Sequence, residues 1–277
     1  MRSQPEQRRR SRLIAPLAGL SPRRRLLASG LALLIAVAVG VAAVAVLRAG
    51  PRQPSRRPAQ DRLGPVLLVP GYGGQTGSLQ VLASSIRATG RTAIVLRLPG
   101  TGTGSLIADA GVLNSAVSQA LDRGAPSVDV IGYSAGGVVA LVWARRDDGA
   151  GKARRIITLG APFHGTALAA GAEGFVPGAC PAACQQLTPG SSLLASLNVA
   201  DPAGLPHWLS LWTTDDQVVT PPTSAQLPGA IDVPVQSVCP AVSISHSQLP
   251  TNADVTSMVL QALSTSPLRK PTSADCS

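Results

Sequence analysis

The segment Val128-Asp129-Val130-Ile131-Gly132-Tyr133-Ser134-Ala135-Gly136-Gly137 begins as a short apolar strand, passes through a G-x-S-x-G turn and continues as a helical run, Val138–Arg145. A strand that reverses into a helix this sharply strains its central residue, and side chains two positions to either side would collide. Glycines at 132 and 136 remove that collision. The helix then aims its first, unpaired N–H groups at the turn. In a chain with 28 Gly the bare pattern could be an ordinary glycine-rich turn. Its position between strand and helix points instead to Ser134 as an exposed nucleophile.

Outward from this segment, short β-branched runs alternate with longer helical stretches. Val66–Val69, Ala93–Leu98, Val128–Ile131, Arg155–Leu159 and Trp208–Trp212 read as strands, nearly continuously apolar as parallel strands covered on both faces should be. Gly77–Thr89, Ser105–Arg123, Gly136–Asp147 and Thr251–Leu263 have helical length and spacing. The alternation predicts an α/β domain with a mostly parallel sheet flanked by helices. Chemistry in such sheets gathers outside the carboxyl ends of the strands, here the loops after Val69, Ile131, Leu159 and Trp212.

Those loops hold the remaining groups that acyl transfer needs. After the first strand, Pro70-Gly71-Tyr72-Gly73-Gly74 can present the Tyr72 N–H beside that of Ala135, a pair of donors for an oxyanion. The loop lacks the terminal Lys-Ser/Thr of a phosphate-binding loop, and the glycine spacing of Gly100–Gly104 is wrong for a dinucleotide fingerprint. Three histidines exist. His164, directly after a strand in Ala161–Thr166, reads as part of a shaping loop. His207 lies at the wrong end of the sheet. His246, in Ser243-Ile244-Ser245-His246-Ser247, follows the last strand region and is the candidate base. Either of Asp215 and Asp216, in Thr213–Pro221, could sit at the carboxyl end of the strand before it and hold the imidazole in the correct tautomer. The alternative for that pair is a solvated Asp-Asp turn.

From about Pro65 to Leu263 the chain resembles secreted bacterial lipases and esterases of the α/β-hydrolase superfamily, the triacylglycerol-lipase-like group. The resemblance rests on Pro70–Gly74, Val128–Gly137 and Leu159–Thr166, on Cys184-Gln185-Gln186-Leu187 with Gly190-Ser191, on Asp216-Gln217-Val218-Val219 with Pro221, and on Ser245-His246. It implies an α/β-hydrolase fold and hydrolysis of a lipid or small ester through an acyl-enzyme on Ser134. Asp216 and His246 would complete the triad in the order Ser, acid, His, with Tyr72 and Ala135 as the oxyanion hole. Counting the lipase pattern from Asp216 selects it over Asp215. Two departures bear on acyl preference: Pro70-Gly71 stands where many lipases begin with His-Gly, and Phe163 where a small or polar residue or His is common. Acyl transfer to another acceptor, thioester or amide hydrolysis, and a catalytically inert binding module are the competing readings. Gly165–Leu187 is the candidate lid or pocket rim. A monomer without cofactor or metal is expected, since no acidic cluster has calcium-loop spacing.

The net charge of +10 is unevenly placed. Residues 1–62 carry 13 Arg against Glu6 and Asp61, leaving 11 Lys and Arg against 12 acids beyond them. A nearly neutral globular part argues against a nucleic-acid partner, which calls for a basic face on the folded module. The basic excess instead flanks Leu26–Leu47, 22 residues without a charge, long enough to span a hydrocarbon core of about 30 Å. This gives an Arg-rich cytoplasmic leader (1–25), a transmembrane anchor or a cleaved signal peptide (26–47), a Pro/Arg-rich linker (48–64) and a catalytic domain (65–277). Ala43 and Ala45 offer the cleavage site of the second option. Either option puts the domain outside the cytoplasm, on the membrane or secreted. There Cys180, Cys184, Cys239 and Cys276 can form disulfides. Three connectivities are possible; local closure of Cys180 with Cys184, leaving Cys239 with Cys276, is preferred over a four-cysteine zinc site.

Overall fold

The computed structural model describes residues 57–175, 180–198 and 204–277, together with residues 21, 23, 27, 30–31 and 33–40 near the N-terminus. The chain divides into two units, residues 1–53 and 54–277. The hydrophobic helix expected over residues 26–47 lies partly outside the described residues. Within it, residues 27, 30–31 and 33–40 are helical and exposed. Among the described residues no helix is long and apolar enough to cross a membrane.

In the larger unit six strands form one parallel sheet. They are β1 (Val66–Val69), β2 (Ala93–Val95), β3 (Val128–Tyr133), β4 (Ala153–Leu159), β5 (His207–Trp212) and β6 (Ile231–Pro234), in the spatial order β2-β1-β3-β4-β5-β6. Their apolar side chains alternate between two cores, as the period of two requires. Leu67, Val69, Val130 and Ile156 face one core, and Val66, Leu68, Ile131 and Ile157 the other. The first core is closed by α2 (Leu106–Asp122) and α3 (Ala135–Arg146), the second by α1 (Gly77–Ala88) and α8 (Ala253–Ala262). Helix α3 is buried from Ala135 to Ala144 because α2 covers the face it turns away from the sheet. Four shorter helices follow among the described residues of this unit: α4 (Gly149–Lys152), α5 (Ala167–Phe175), α6 (Ala182–Gln186) and α7 (Ser192–Asn198). The sheet departs from the expectation in one strand. Edge strand β6 was not anticipated, because Ile-Asp-Val-Pro is short, half-buried and carries a proline tolerated only at an edge.

The lower, amino end of the sheet is held by charge. Asp129 on β3 is fully buried and accepts hydrogen bonds from Arg91 Nη2 (2.7 Å) and from Arg154 Nε (3.0 Å) and Nη2 (2.6 Å). Arg154 also donates to the carbonyls of Gln60 (3.0 Å), Leu263 (2.9 Å) and Ser264 (2.8 Å), and Arg155 to those of Ala262 and Ser266. The two arginines thus meet the open carbonyls at the end of α8, where the helix dipole favours cations. Burial, with Arg154 alongside, pushes the Arg155 guanidinium down to about 10, still protonated at neutral pH. Residues 57–64, read from sequence as the end of a linker, are tied to the domain here. Gln60 accepts from Arg155 Nε at 3.1 Å, and Arg57 donates to the Leu205 carbonyl at 3.0 Å. Both cysteine pairs are disulfides, Cys180–Cys184 and Cys239–Cys276, leaving no thiolate for a metal.

Asp232 on β6 makes a pH test of this frame. Burial pushes its carboxyl up to about 6, although its Oδ1 accepts from the Leu227 N–H at 3.1 Å. Between its ordinary 3.8 and 6 the folded state holds the extra proton, so stability contributed here falls as pH rises through that window and is flat above it. Asp232→Asn keeps the acceptor and removes the charge. It should stabilise the protein by about 1–2 kcal/mol at pH 7 and by little at pH 4. Urea unfolding of both proteins at each pH measures this; equal stabilities at pH 7 would refute it.

Candidate active site

Strand β1 connects to β2 on one side while β3 lies on its other side, so the crevice above the carboxyl ends of β1 and β3 is the point where the winding reverses. Ser134 stands there, at the N-terminus of α3, with φ +54° and ψ −127°. A non-glycine residue held so costs about 1–3 kcal/mol and persists only where its surroundings impose it. Its N–H donates to the Leu159 carbonyl (2.8 Å) and its carbonyl accepts from the Gly137 N–H (2.9 Å). The flanking glycines admit close backbone contact. A Cβ on Gly132 would stand 2.6 Å from the Gly136 carbonyl oxygen, and one on Gly136 would stand 2.3 Å from that of Val69. The loop after β1 crosses directly above: a Cβ on Gly71 would lie 3.0 Å from that of Ser134. Tyr72 follows in this loop. Its N–H has no protein acceptor among the described residues, and Ala135, first residue of α3, has none within its helix.

The imidazole of His246 is buried at the same end of the sheet, on a single turn of 3-10 helix, His246–Gln248. That turn is closed by the Ser245 N–H donating to Gln248 Oε1 at 2.8 Å. Beneath the ring lies Gly160, with φ +58°, where a Cβ would come within 3.1 Å of Cε1 and Nδ1. Beside it lies Tyr133, ring centroids 5.2 Å apart, whose hydroxyl donates to the His246 carbonyl at 3.3 Å. Burial, reinforced by the Asp216 charge, pushes the Tyr133 phenol up to about 12, so it remains a donor.

Asp216 is the aspartate that meets this imidazole. Its Oδ2 is 2.7 Å from His246 Nδ1, and its Oδ1 accepts from the N–H groups of Val218 (2.9 Å) and Val219 (2.7 Å). An ionised carboxylate at Nδ1 selects the tautomer protonated there and leaves Nε2 as the basic nitrogen. Ser134 Oγ itself has no hydrogen bond to the imidazole among the described residues.

Asp215 faces the other way and has a task that sequence reasoning missed. Its Oδ2 accepts from Ser243 Oγ at 2.9 Å, three residues before His246. Thr213 Oγ1 donates to the Ile244 carbonyl at 2.8 Å and accepts from Gln236 Nε2 at 2.7 Å. The loop carrying the imidazole is therefore pinned to the loop carrying its acid partner. Thr213, Gln236 and Ser243 are common surface residue types, and nothing in their spacing marks them. His164 hydrogen bonds to the Gln226 carbonyl through Nε2 (3.1 Å) and to Asn198 through Nδ1 (3.3 Å). His207 opens β5 at the amino end of the sheet, where burial and then Arg57 and Arg155 lower its pKa. Neither lines the cavity at Ser134.

An apolar cavity of about 180 Å³ opens at Ser134 and is lined by Thr166, Leu168, Ala169, Ala172, Cys184 and Leu187. Among the described residues the site offers no cluster of metal-ligating side chains. Cys239, Asp254 and Cys276 come together elsewhere, but those two cysteines are disulfide-bonded.

No family model matches the sequence, and no curated protein matches it. Solved structures do. Aspergillus fumigatus lipase B superposes with a TM-score of 0.64 at 18% identity, covering 79% of this chain. The mature form of a Bacillus licheniformis lipase gives 0.61 at 17% identity, covering 76% of this chain, and a Listeria innocua protein gives 0.53 at 13%. This chain spans 57% of the first protein and 96% of each of the other two. The likeness shows the α/β-hydrolase fold.

Proposed function

We propose that this chain is a serine hydrolase of carboxylic esters. The observation that carries the reading is the Asp216–His246 pair at 2.7 Å, buried beside a strained serine at a helix N-terminus. His246 Nε2 takes the proton of Ser134 Oγ as the oxygen attacks the ester carbonyl. The developing oxyanion is met by the N–H groups of Tyr72 and Ala135. Collapse breaks the bond to the alcohol oxygen, which leaves with the proton from Nε2, and the acyl group stays on Oγ. Water, deprotonated by the same nitrogen, then attacks the acyl-enzyme and releases the acid. Asp216 holds the ring and stabilises the imidazolium. The lipases with which the fold superposes support this reading.

The same proposal places the domain on the outer face of a membrane, tethered through residues 26–47. Its support is the uncharged run behind an Arg-rich leader and the two disulfides, which persist in oxidising compartments. Cell fractionation is expected to recover the domain in the membrane fraction. A soluble extracellular form beginning between Ala45 and Pro65 would show a cleaved signal instead.

A fluorophosphonate probe should label the wild-type protein on Ser134, and Ser134→Ala should lose both the label and ester turnover. A labelled alanine variant, or one that turns over normally, would refute the assignment. The two aspartates separate in the same assay. Asp216→Asn removes the carboxylate that sets the imidazole tautomer and should lower kcat by about 10⁴, whereas Asp215→Asn, which disturbs the contacts to Ser243, Gln236 and Thr214 but none to the imidazole, should cost less than about tenfold. If Asp215→Asn were the more damaging, the acid would be reassigned.

A further inference from the structure

The cavity at Ser134 has a closed end and an open mouth, and the two are built differently. At the mouth stand Tyr72, Leu168 and Val218, which are 45%, 61% and 38% exposed. At the closed end stand Thr166, Ala169, Cys184, Leu187 and Val219, none more than 7% exposed. Among the described residues no charged side chain lines either part, so the cavity suits a hydrocarbon chain and disfavours a phosphate or a sugar.

The closed end is cross-braced. Thr166 donates its N–H to the Leu187 carbonyl (3.0 Å) and its hydroxyl to the Val218 carbonyl (2.6 Å). Cys184 is held by its disulfide to Cys180. The Val219 N–H is one of the two donors on Asp216 Oδ1. Moving this wall outward would break bonds that also fix the acid, so the wall cannot recede to admit a longer chain without disturbing the base. A volume of about 180 Å³ is close to that of an apolar cavity of about 150 Å³ that accepts benzene, or about six carbons, and falls below the roughly 300 Å³ at which drug-sized pockets begin.

Resting on the ester-hydrolase reading, we propose that the site selects short acyl groups of up to about six carbons, with Leu187 and Ala169 setting the limit. A longer acyl chain would have to leave through the mouth and lie along Tyr72, Leu168 and Val218 in contact with water, forfeiting the burial of each further methylene.

The test is kcat/KM of the full chain on nitrophenyl esters from acetate to decanoate, each below its solubility limit, with active sites counted by fluorophosphonate titration. The wild-type profile should peak at butyrate or hexanoate and fall at least tenfold by decanoate. Leu187→Ala should raise the decanoate-to-butyrate ratio at least tenfold. Ala169→Val, which fills the closed end, should lower the hexanoate-to-acetate ratio at least fivefold. Because each ratio is measured on one preparation, a loss of folded protein cancels. Labelled wild-type enzyme whose profile is flat or rises to decanoate would overturn the acyl limit while leaving the hydrolase reading intact. So would two labelled variants that both keep the wild-type ratios. Absence of Ser134 labelling would overturn the hydrolase reading and this proposal with it.

Discussion

The constraint on which the rest depends is the close passage of three backbone segments at Ser134. The end of β1, the end of β3 and the first turn of α3 meet there, at distances no side chain could occupy at Gly132 and Gly136 and with little room at Gly71. The strained backbone of Ser134 follows from this packing, since the residue has one path between a strand paired on both edges and a helix buried on every face. The turn that carries Ser134 is thus a product of chain geometry, fixed before any particular side chain is considered.

A second frame surrounds the first and is built from side chains. Asp216 uses Oδ1 to hold Val218 and Val219 and Oδ2 to hold the imidazole. Thr213, Gln236, Asp215 and Ser243 lock the two loops together, and Thr166 couples the acid loop to the roof of the cavity. A change in any of these is felt at His246 through a short chain of hydrogen bonds, whereas Ser134 is positioned through the backbone alone.

This difference explains what the sequence revealed. The elbow is written in glycines at fixed spacing, and the strands that lead into it are apolar runs, so the strained turn at Ser134 and the parallel sheet could be read directly. Asp216 was legible as a position after a strand and His246 as one after the last strand region, but choosing between Asp215 and Asp216 needed a resemblance, since two adjacent carboxylates look alike until their directions are known. The clamp around Asp215 was not legible, being made of residue types that occur in any surface loop. The burial of Arg154 and Arg155 was not legible either: both are buried because Asp129, Gln60 and the carbonyls at and just beyond the end of α8 supply their partners. Composition treats such a pair as surface; only the tertiary partner makes it interior.

The two ends of the sheet therefore separate stability from reactivity. At the amino end Arg154 meets Asp129 and three carbonyls, and a polar group so fully occupied has nothing left to offer a substrate. At the carboxyl end capacity remains open on the Ser134 hydroxyl, the far imidazole nitrogen and two backbone N–H groups. Unpaired polar groups are tolerable there because the cavity admits a molecule, or water, that can pair with them. Asp216 belongs to both regimes: one oxygen completes the loop that carries it, and the other orients an imidazole whose second nitrogen has no partner among the described residues. A carboxylate divided in this way gains its position from structure and lends it to chemistry, which is why an acid at this point of the fold cannot be moved by one residue without moving the loop as well.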